Sequence, residues 1–137
     1  MFDGYLIKIG DFTFPMKYIA EETYNVKPHQ RLDLDSERDN LGELFREVSE
    51  NRPSVIEFQT IAGMTNRDVR ELFEHIRAEY ISEDERKVSV IYYDPETDEY
   101  SEPEHMYMPN PNFPIDAIDV ERKEVLYNSI SISLIGY

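Results

Sequence analysis

The sequence predicts a mainly β (α+β) fold, an antiparallel β-sandwich or barrel flanked by one α-helix. Two observations lead to this prediction. One long stretch, from Thr65 to about Ile81, has helical periodicity, and nearly all other apolar stretches resemble strands. The clearest of these strands is the last, where Ile130, Ile132 and Leu134 alternate with serines, so that one face is buried and one is polar.

The chain opens with a predicted β-hairpin. Residues 5–9 read as a strand, Gly10 and Asp11 as a turn, and residues 12–14 as the return. A second extended run is predicted from Met16 to Val26, which makes the second arm of this hairpin long. Pro15 places the start of that run at a sheet edge or a bulge.

Residues 28–52 form a long, highly charged segment with few β-branched residues. We expect a projecting loop or hairpin, turning near residues 39–42, that orders on contact with a partner. Apolar contacts and arginine–carboxylate pairs across an interface are expected from this arm, and pairing of the arginines within the arm is the alternative. The predicted interface residues are Arg31, Leu32, Leu34, Arg38, Leu41, Leu44, Phe45 and Arg46.

The middle of the chain is predicted as a strand followed by the helix. Residues 54–60 read as the strand, and Gly63 breaks it. Thr65 and Asp68 form an approximate capping box at the start of the helix. The helix carries an apolar stripe that should pack on a sheet face. The residues of the stripe are Val69, Leu72, Phe73, Ile76 and Tyr80.

The last third of the chain is predicted to be β-rich. Residues 87–93 read as a strand and residues 94–98 as a turn, with the return beginning at Tyr107 and Met108. Three prolines make residues 108–114 an extended segment unsuited to a central strand. Ile115 to Val120 and Val125 to Tyr137 then complete the domain.

Composition limits the classes of function. The net charge of −15, from 29 acids against 14 bases, disfavours binding to nucleic acid or to an anionic membrane. The chain has no Cys, which excludes disulfides and thiolate chemistry, and no apolar run approaches the ~20 residues of a membrane span. At 137 residues we expect a single domain, residues 1–137. We also expect it to be made in the cytoplasm.

The acidic run from Asp33 to Asp39 invites a calcium-binding interpretation. An EF-hand loop needs Gly at its sixth position and Glu at its twelfth. Counted from Asp33, those positions hold Arg38 and Leu44, and the register two residues later fails as well. A solvated loop or an interface arm is the better interpretation.

No other cluster indicates catalysis. His29, His75 and His105 are far apart in sequence and lack metal-binding spacing, with His75 on the polar side of the helix. Residues 94–105 contain six acids and no Lys or Arg, which favours a solvated hairpin tip over a pair of catalytic carboxylates. No nucleophile elbow or phosphate-binding loop is present. We therefore expect no enzyme activity, no metal and no cofactor.

Three segments carry a resemblance to a known group of proteins: residues 4–10 (GYLIKIG), 31–39 (RLDLDSERD) and 86–97 (RKVSVIYYDPET). Across essentially the whole chain, the sequence resembles a family of small, uncharacterised prophage tail proteins of Gram-positive bacteria. The resemblance implies an architecture similar to tail-tube and distal-tail proteins. These are β-sandwiches with one helix and a long hairpin or loop that joins neighbours in a hexameric ring.

The resemblance implies a structural protein of the virion tail, made in the bacterial host cytoplasm. It implies a ring-forming distal tail or baseplate adapter protein that self-assembles around the tail channel and contacts other tail proteins. A tail tube protein is the first alternative. An alternative of another class is a monomeric acidic binding module, such as a DNA mimic or an inhibitor of a host protein.

Overall fold

The protein is described by a computed structural model over residues 1–31, 33–38, 42–48 and 50–137. Its strands and its helix follow in chain order. They are β1 (Ile7–Ile9), β2 (Phe12–Thr13), β3 (Asn25–Lys27), β4 (Asp33–Arg38), β5 (Leu44–Val48), β6 (Val55–Gln59), β7 (Met64–Thr65), α1 (Asn66–Ala78), β8 (Lys87–Asp94), β9 (Glu99–Tyr100), β10 (Glu104–Tyr107), β11 (Ile115–Asp119), β12 (Glu124–Tyr127) and β13 (Ser131–Gly136).

The main sheet is an eight-stranded antiparallel sheet that curls into a half-barrel. Its strand order is β2-β1-β8-β10-β13-β6-β3, and β9 pairs with the end of β8. A three-stranded sheet, β11-β12-β7, and a two-stranded sheet, β4-β5, complete the fold. The prediction of a mainly β protein with one helix and a long hairpin is therefore confirmed.

Strict alternation along the strands explains how the core forms. Every second residue of β8 is buried, from Val88 to Asp94, and Ile132 and Leu134 of β13 are buried on either side of Ser133. Because strand side chains alternate between faces, one face of the sheet becomes apolar and curls around the core. The predicted alternation of the last strand is confirmed.

The helix packs against this core. The capping box at its start is confirmed: Thr65 Oγ1 accepts from the amide of Asp68 at 3.3 Å, and the Asp68 carboxylate accepts from the amide of Thr65 at 3.2 Å. Four residues of the predicted stripe are buried: Val69, Leu72, Phe73 and Ile76. The helix ends at Ala78, three residues before the predicted end, and Tyr80 follows it against the core.

The prediction of a long strand from Met16 to Val26 is wrong. Residues 16–18 and 21–23 form single 3₁₀ turns, and only Asn25–Lys27 forms a strand. Pro15 precedes the first of these turns, with a backbone φ of −64°. The amides of Tyr18 and Ile19 then bond to the carbonyls of Pro15 and Met16, so they are not available for a sheet ladder.

The return after β8 also differs from the prediction. It begins at Glu104, three residues before Tyr107, and the short β9 comes first. The interval from 125 to 137 holds two strands, β12 and β13, which belong to different sheets. The prolines of residues 108–114 lie between strands, as predicted.

Candidate assembly surfaces

The arm, residues 28–52, is anchored where it leaves and rejoins the main sheet. The amide of Gln30 donates to the carbonyl of Pro53 at 2.8 Å, and the amide of His29 donates to Ser54 Oγ at 3.0 Å. Ser54 is fully buried, and its Oγ lies 2.7 Å from the hydroxyl of Tyr92. Burial raises the pKa of Tyr92, and the hydrogen bond with Ser54 opposes part of that rise. The base of the arm is thus tied to the core.

Beyond its base, the arm is the β4–β5 hairpin. Arg38 pairs with Leu44 and Ser36 pairs with Arg46 in the backbone register, and Asp35 and Glu37 pair with Glu47 and Phe45. Because alternate strand positions share a face, the register divides the hairpin into two unlike faces. We call one the arginine face (Ser36, Arg38, Leu44 and Arg46) and the other the acidic face (Asp35, Glu37, Phe45 and Glu47).

The predicted hairpin is confirmed, and its interface role stays a prediction. Leu32 and Leu41 lie outside the described residues. Leu34 occupies the irregular position of β4, between the paired Asp33 and Asp35, and Leu44 is 47% exposed. Arg31 is exposed, and its guanidinium donates to the carbonyl of His29 at 3.0 Å.

A second surface, which the sequence did not single out, is the β11–β12 hairpin. Ile115 pairs with Tyr127 and Ile118 with Val125, although the two isoleucines are three residues apart. A bulge at Asp116 makes this possible, because the extra residue shifts the alternation by one position. The bulge therefore collects an apolar face, which we define as Ile115, Ile118, Val125 and Tyr127.

One end of this apolar face packs against the core, and the other end is exposed. Tyr127 pairs with the buried Met64, and the Phe113 ring lies 5.1 Å from Phe73 of the helix. Farther out, Ile115 is 57% exposed and Ile118 is 64% exposed, with Val120 beyond them at 81%. Contiguous exposed apolar residues of this kind indicate a contact surface. The only sequence signal was the IDAIDV pattern of residues 115–120.

The open edge of this hairpin adds backbone groups to the surface. Within the described parts of the chain, β11 pairs with β12 alone, so its other edge has no strand beside it. The register places Asp119 opposite Glu124, on the face behind Ile118. Asp119 also lies 3.8 Å from the guanidinium of Arg122, in an exposed pair that contributes little.

A third surface is the acidic end of the main sheet around β9. Most of the acids between residues 94 and 105 are exposed, as predicted for a solvated tip. Two acids are exceptions. Asp94 is only 6% exposed and its carboxylate accepts from the amide of Glu96 at 2.9 Å, and the partly exposed Glu104 accepts from the amide of Ser54 at 3.0 Å. Tyr93 donates to Asp98, and this hydrogen bond, together with desolvation, raises the pKa of Tyr93.

His29 and His105, far apart in sequence, line one open pocket, and His75 lines another. His75 lies on the exposed side of the helix, where its ring stacks on Phe12 with centroids 4.9 Å apart. Across residues 1–31, 33–38, 42–48 and 50–137, no three His, Asp or Glu side chains form a group that could hold a metal ion. In the same ranges, no helix is both long and apolar enough to cross a membrane.

Comparisons with known proteins give a family and one structural likeness. Residues 1–137 match a family described as a family of unknown function (DUF6711). No curated protein matches the chain. Among solved structures, the chain is similar to the sheath/tube terminator of an extracellular contractile injection system (PVC) in its extended state. The TM-score is 0.44 at 13% sequence identity, over 100% of this chain and 92% of the other.

Proposed function

The chain belongs to the DUF6711 family of unknown function, and we propose that it is a structural protein of a bacteriophage-type tail. In this proposal it is a distal tail or baseplate adapter protein of the virion. Copies assemble into a ring, hexameric as in the proteins it resembles, around the tail channel and contact other tail proteins. A tail tube protein is the alternative within the same class. The protein acts by assembly and catalyses no reaction.

The observation that carries this proposal is the arm. β4 and β5 form a sheet of their own, and within the described residues neither strand pairs with the main sheet. An anchored hairpin outside the core adds little to the stability of one subunit, since an isolated two-stranded hairpin is marginal in water. It can instead reach a neighbouring copy. Its two faces differ, one with arginines and one with acids. Contacts between unlike surfaces join copies head to tail, which is the arrangement that closes a ring.

Two further features support the tail assignment. The sequence resemblance to prophage tail proteins extends over essentially the whole chain. In addition, a net charge of −15 suits the lining of a channel through which DNA slides, because a negative wall repels the phosphate backbone.

The proposal is tested first by the state of the purified protein at high concentration. We expect negative-stain images to show rings of one diameter and the native mass to be an integral multiple of the 16.2 kDa subunit. Stacked rings would favour the tube alternative over the adapter. A protein that stays monomeric at every concentration would contradict self-assembly.

The role of the arm is tested by reversing the charge of the two arginines on its arginine face. We expect the double variant Arg38→Glu, Arg46→Glu to lose ring assembly, because the arginine face would then repel carboxylates of the neighbour. The matched control is Arg67→Glu, Arg70→Glu, which makes the same charge change on the exposed side of the helix. Analytical ultracentrifugation measures the assembled fraction of each. Equal assembly of both double variants would refute the role of the arm.

A monomeric acidic binding module is the second candidate. The acidic end around β9 favours it, because residues 94–105 offer six acids and no base to a cationic partner. This candidate requires tight binding to a basic protein, weakened by salt, from a chain that does not self-associate. The native-mass measurement separates the two candidates.

A further inference from the structure

We propose that the arm of a second copy docks on the β11–β12 hairpin and adds a strand along the free edge of β11. This inference rests on the proposed function, since it names the surface that receives the arm. The occupant is another copy of this chain.

Apolar side chains of β11 are exposed. Ile115, Ile118 and Val120 are each more than half exposed, although the same face holds buried Met64 nearer the core. The bulge at Asp116 is what brings the two isoleucines onto one face. A regular strand would have put Ile118 on the face opposite to Ile115. The backbone irregularity therefore creates an apolar contact surface.

β11 lies at an open edge of its sheet. Exposed edge strands are normally guarded by charged residues, Pro, a bulge or a very short length. β11 is five residues long without Lys or Pro, and its guards are the bulge at Asp116 and the carboxylate of Asp119. Because these guards are acidic, they oppose an acidic strand and favour a strand that brings arginines. Its backbone donors and acceptors on the open side match those of another extended strand. β5 of the arm is also five residues long, so the two strands match in length.

The charge of the chain limits which surfaces of two copies can meet. Each copy carries −15, so two copies repel unless the contact is neutral or brings opposite charges together. The arm supplies Arg38 and Arg46 on one face, whereas the β11–β12 hairpin supplies Asp119 and Glu124 on one face. In the proposed register, the arginine face lies on the same side of the extended sheet as Asp119 and Glu124, and Phe45 lies on the side of Ile115 and Ile118. Cross-strand pairs of opposite charge stabilise such an arrangement.

The arm and the edge of β11 remain separate within one chain. In the described residues β4 pairs with β5 alone, and β11 pairs with β12 alone. Both open edges are therefore available to a neighbour. A contact between two unlike surfaces repeats from copy to copy and closes a ring when the rotation allows it.

The experiment uses the absence of cysteine from the chain, which leaves no background disulfide. One preparation carries Phe45→Cys or Glu47→Cys, on the acidic face of the arm, and the other carries Ile115→Cys, Ile118→Cys or Val120→Cys. The two are mixed in every combination and oxidised mildly. Strand positions advance about 3.3 Å per residue, and a disulfide forms when Cα atoms lie within about 7 Å, so this grid covers the possible registers.

We expect at least one arm–β11 combination to yield a disulfide-linked dimer on a non-reducing gel. Its yield should exceed at least tenfold that of the same arm cysteine mixed with Ile81→Cys. Ile81 is the matched control because it is 56% exposed and lies away from both hairpins in sequence. As a second readout, Ile118→Asp should reduce ring formation at least tenfold while Ile81→Asp leaves it unchanged, with circular dichroism showing that both are folded.

Three results would overturn the inference. A dominant Ile118→Cys dimer with itself would mean that β11 pairs symmetrically with another β11. Rings that form normally but yield no arm–β11 cross-link would refute the docking surface and leave the proposed function intact. A wild-type chain that is monomeric in native mass at all concentrations would refute both.

Discussion

Two buried tyrosines show how a single hydroxyl group affects stability. The hydroxyl of Tyr92 lies 2.7 Å from Ser54 Oγ, whereas the hydroxyl of Tyr24 is buried without a hydrogen-bond partner in the described parts of the chain. Burial, with a smaller contribution from nearby Tyr92, raises the pKa of Tyr24 far above its usual value of 10. A buried hydroxyl without a partner costs stability, because it has given up water and gained nothing.

We expect Tyr24→Phe to raise the free energy of unfolding by about 1 kcal/mol at pH 7, because it removes that hydroxyl. Tyr92→Phe should lower it by about 1 kcal/mol, because it breaks the bond to Ser54. Urea unfolding followed by circular dichroism measures both. A Tyr24→Phe protein as unstable as Tyr92→Phe would contradict this account.

The same tyrosine makes stability depend on pH above 10. The raised pKa of Tyr24 means that the folded protein holds this proton more tightly than the unfolded chain does. Its contribution is complete below the unfolded pKa of about 10 and is lost as pH rises beyond that value. Urea unfolding at pH 9 and pH 11 should therefore show a smaller loss for Tyr24→Phe than for the wild type. Equal losses would show that other groups control alkaline unfolding.

Among the secondary-structure elements, the helix has the clearest sequence signal. Its start is fixed locally by the capping box, which the sequence contains. Its end is followed by a contact outside the helix, since the amide of Ile81 donates to the carbonyl of Lys87 at 2.8 Å and turns the chain toward β8. Apolar periodicity continues to Tyr80, so the sequence alone extends the helix too far.

The cap provides a test of local stability. We expect Thr65→Ala to lower the free energy of unfolding by about 1 kcal/mol, because the amide of Asp68 loses its acceptor. Thr65→Ser keeps the hydroxyl and should stay within a few tenths of the wild type. Urea unfolding measures the two side by side. An equal loss in both variants would assign the effect to the methyl group of Thr65.

The two hairpins differ in how far sequence could predict them. The arm was predictable because its charges, turn residues and length are local features. The β11–β12 surface was not, since the exposure of Ile115 and Ile118 depends on what packs against them and on a bulge that alternation does not reveal. The 3₁₀ turns at residues 16–23 were missed for a similar reason, because an apolar run beside a proline suits either a strand or a turn.

The charge of the entire chain affects its stability as well as its association. With 29 acids against 14 bases, the folded state brings like charges closer together than the unfolded chain does. We expect the midpoint of thermal unfolding to rise between 20 mM and 300 mM NaCl, because salt screens this repulsion. KCl at equal ionic strength should act alike if the effect is screening. A midpoint that falls with salt would mean that specific ion pairs outweigh the repulsion.

The way the arm joins the sheet determines how the subunit would respond to force. The chain enters the arm from β3 and returns through β6, and these two strands pair with each other at the edge of the main sheet. A pull on the arm therefore loads that pair from one end. The bonds at Gln30 and His29 break first, and the β3–β6 ladder then opens one bond at a time, as a zipper does. Because β6 is also held by β13 along five paired positions, the sheet would give up β3 and keep the rest.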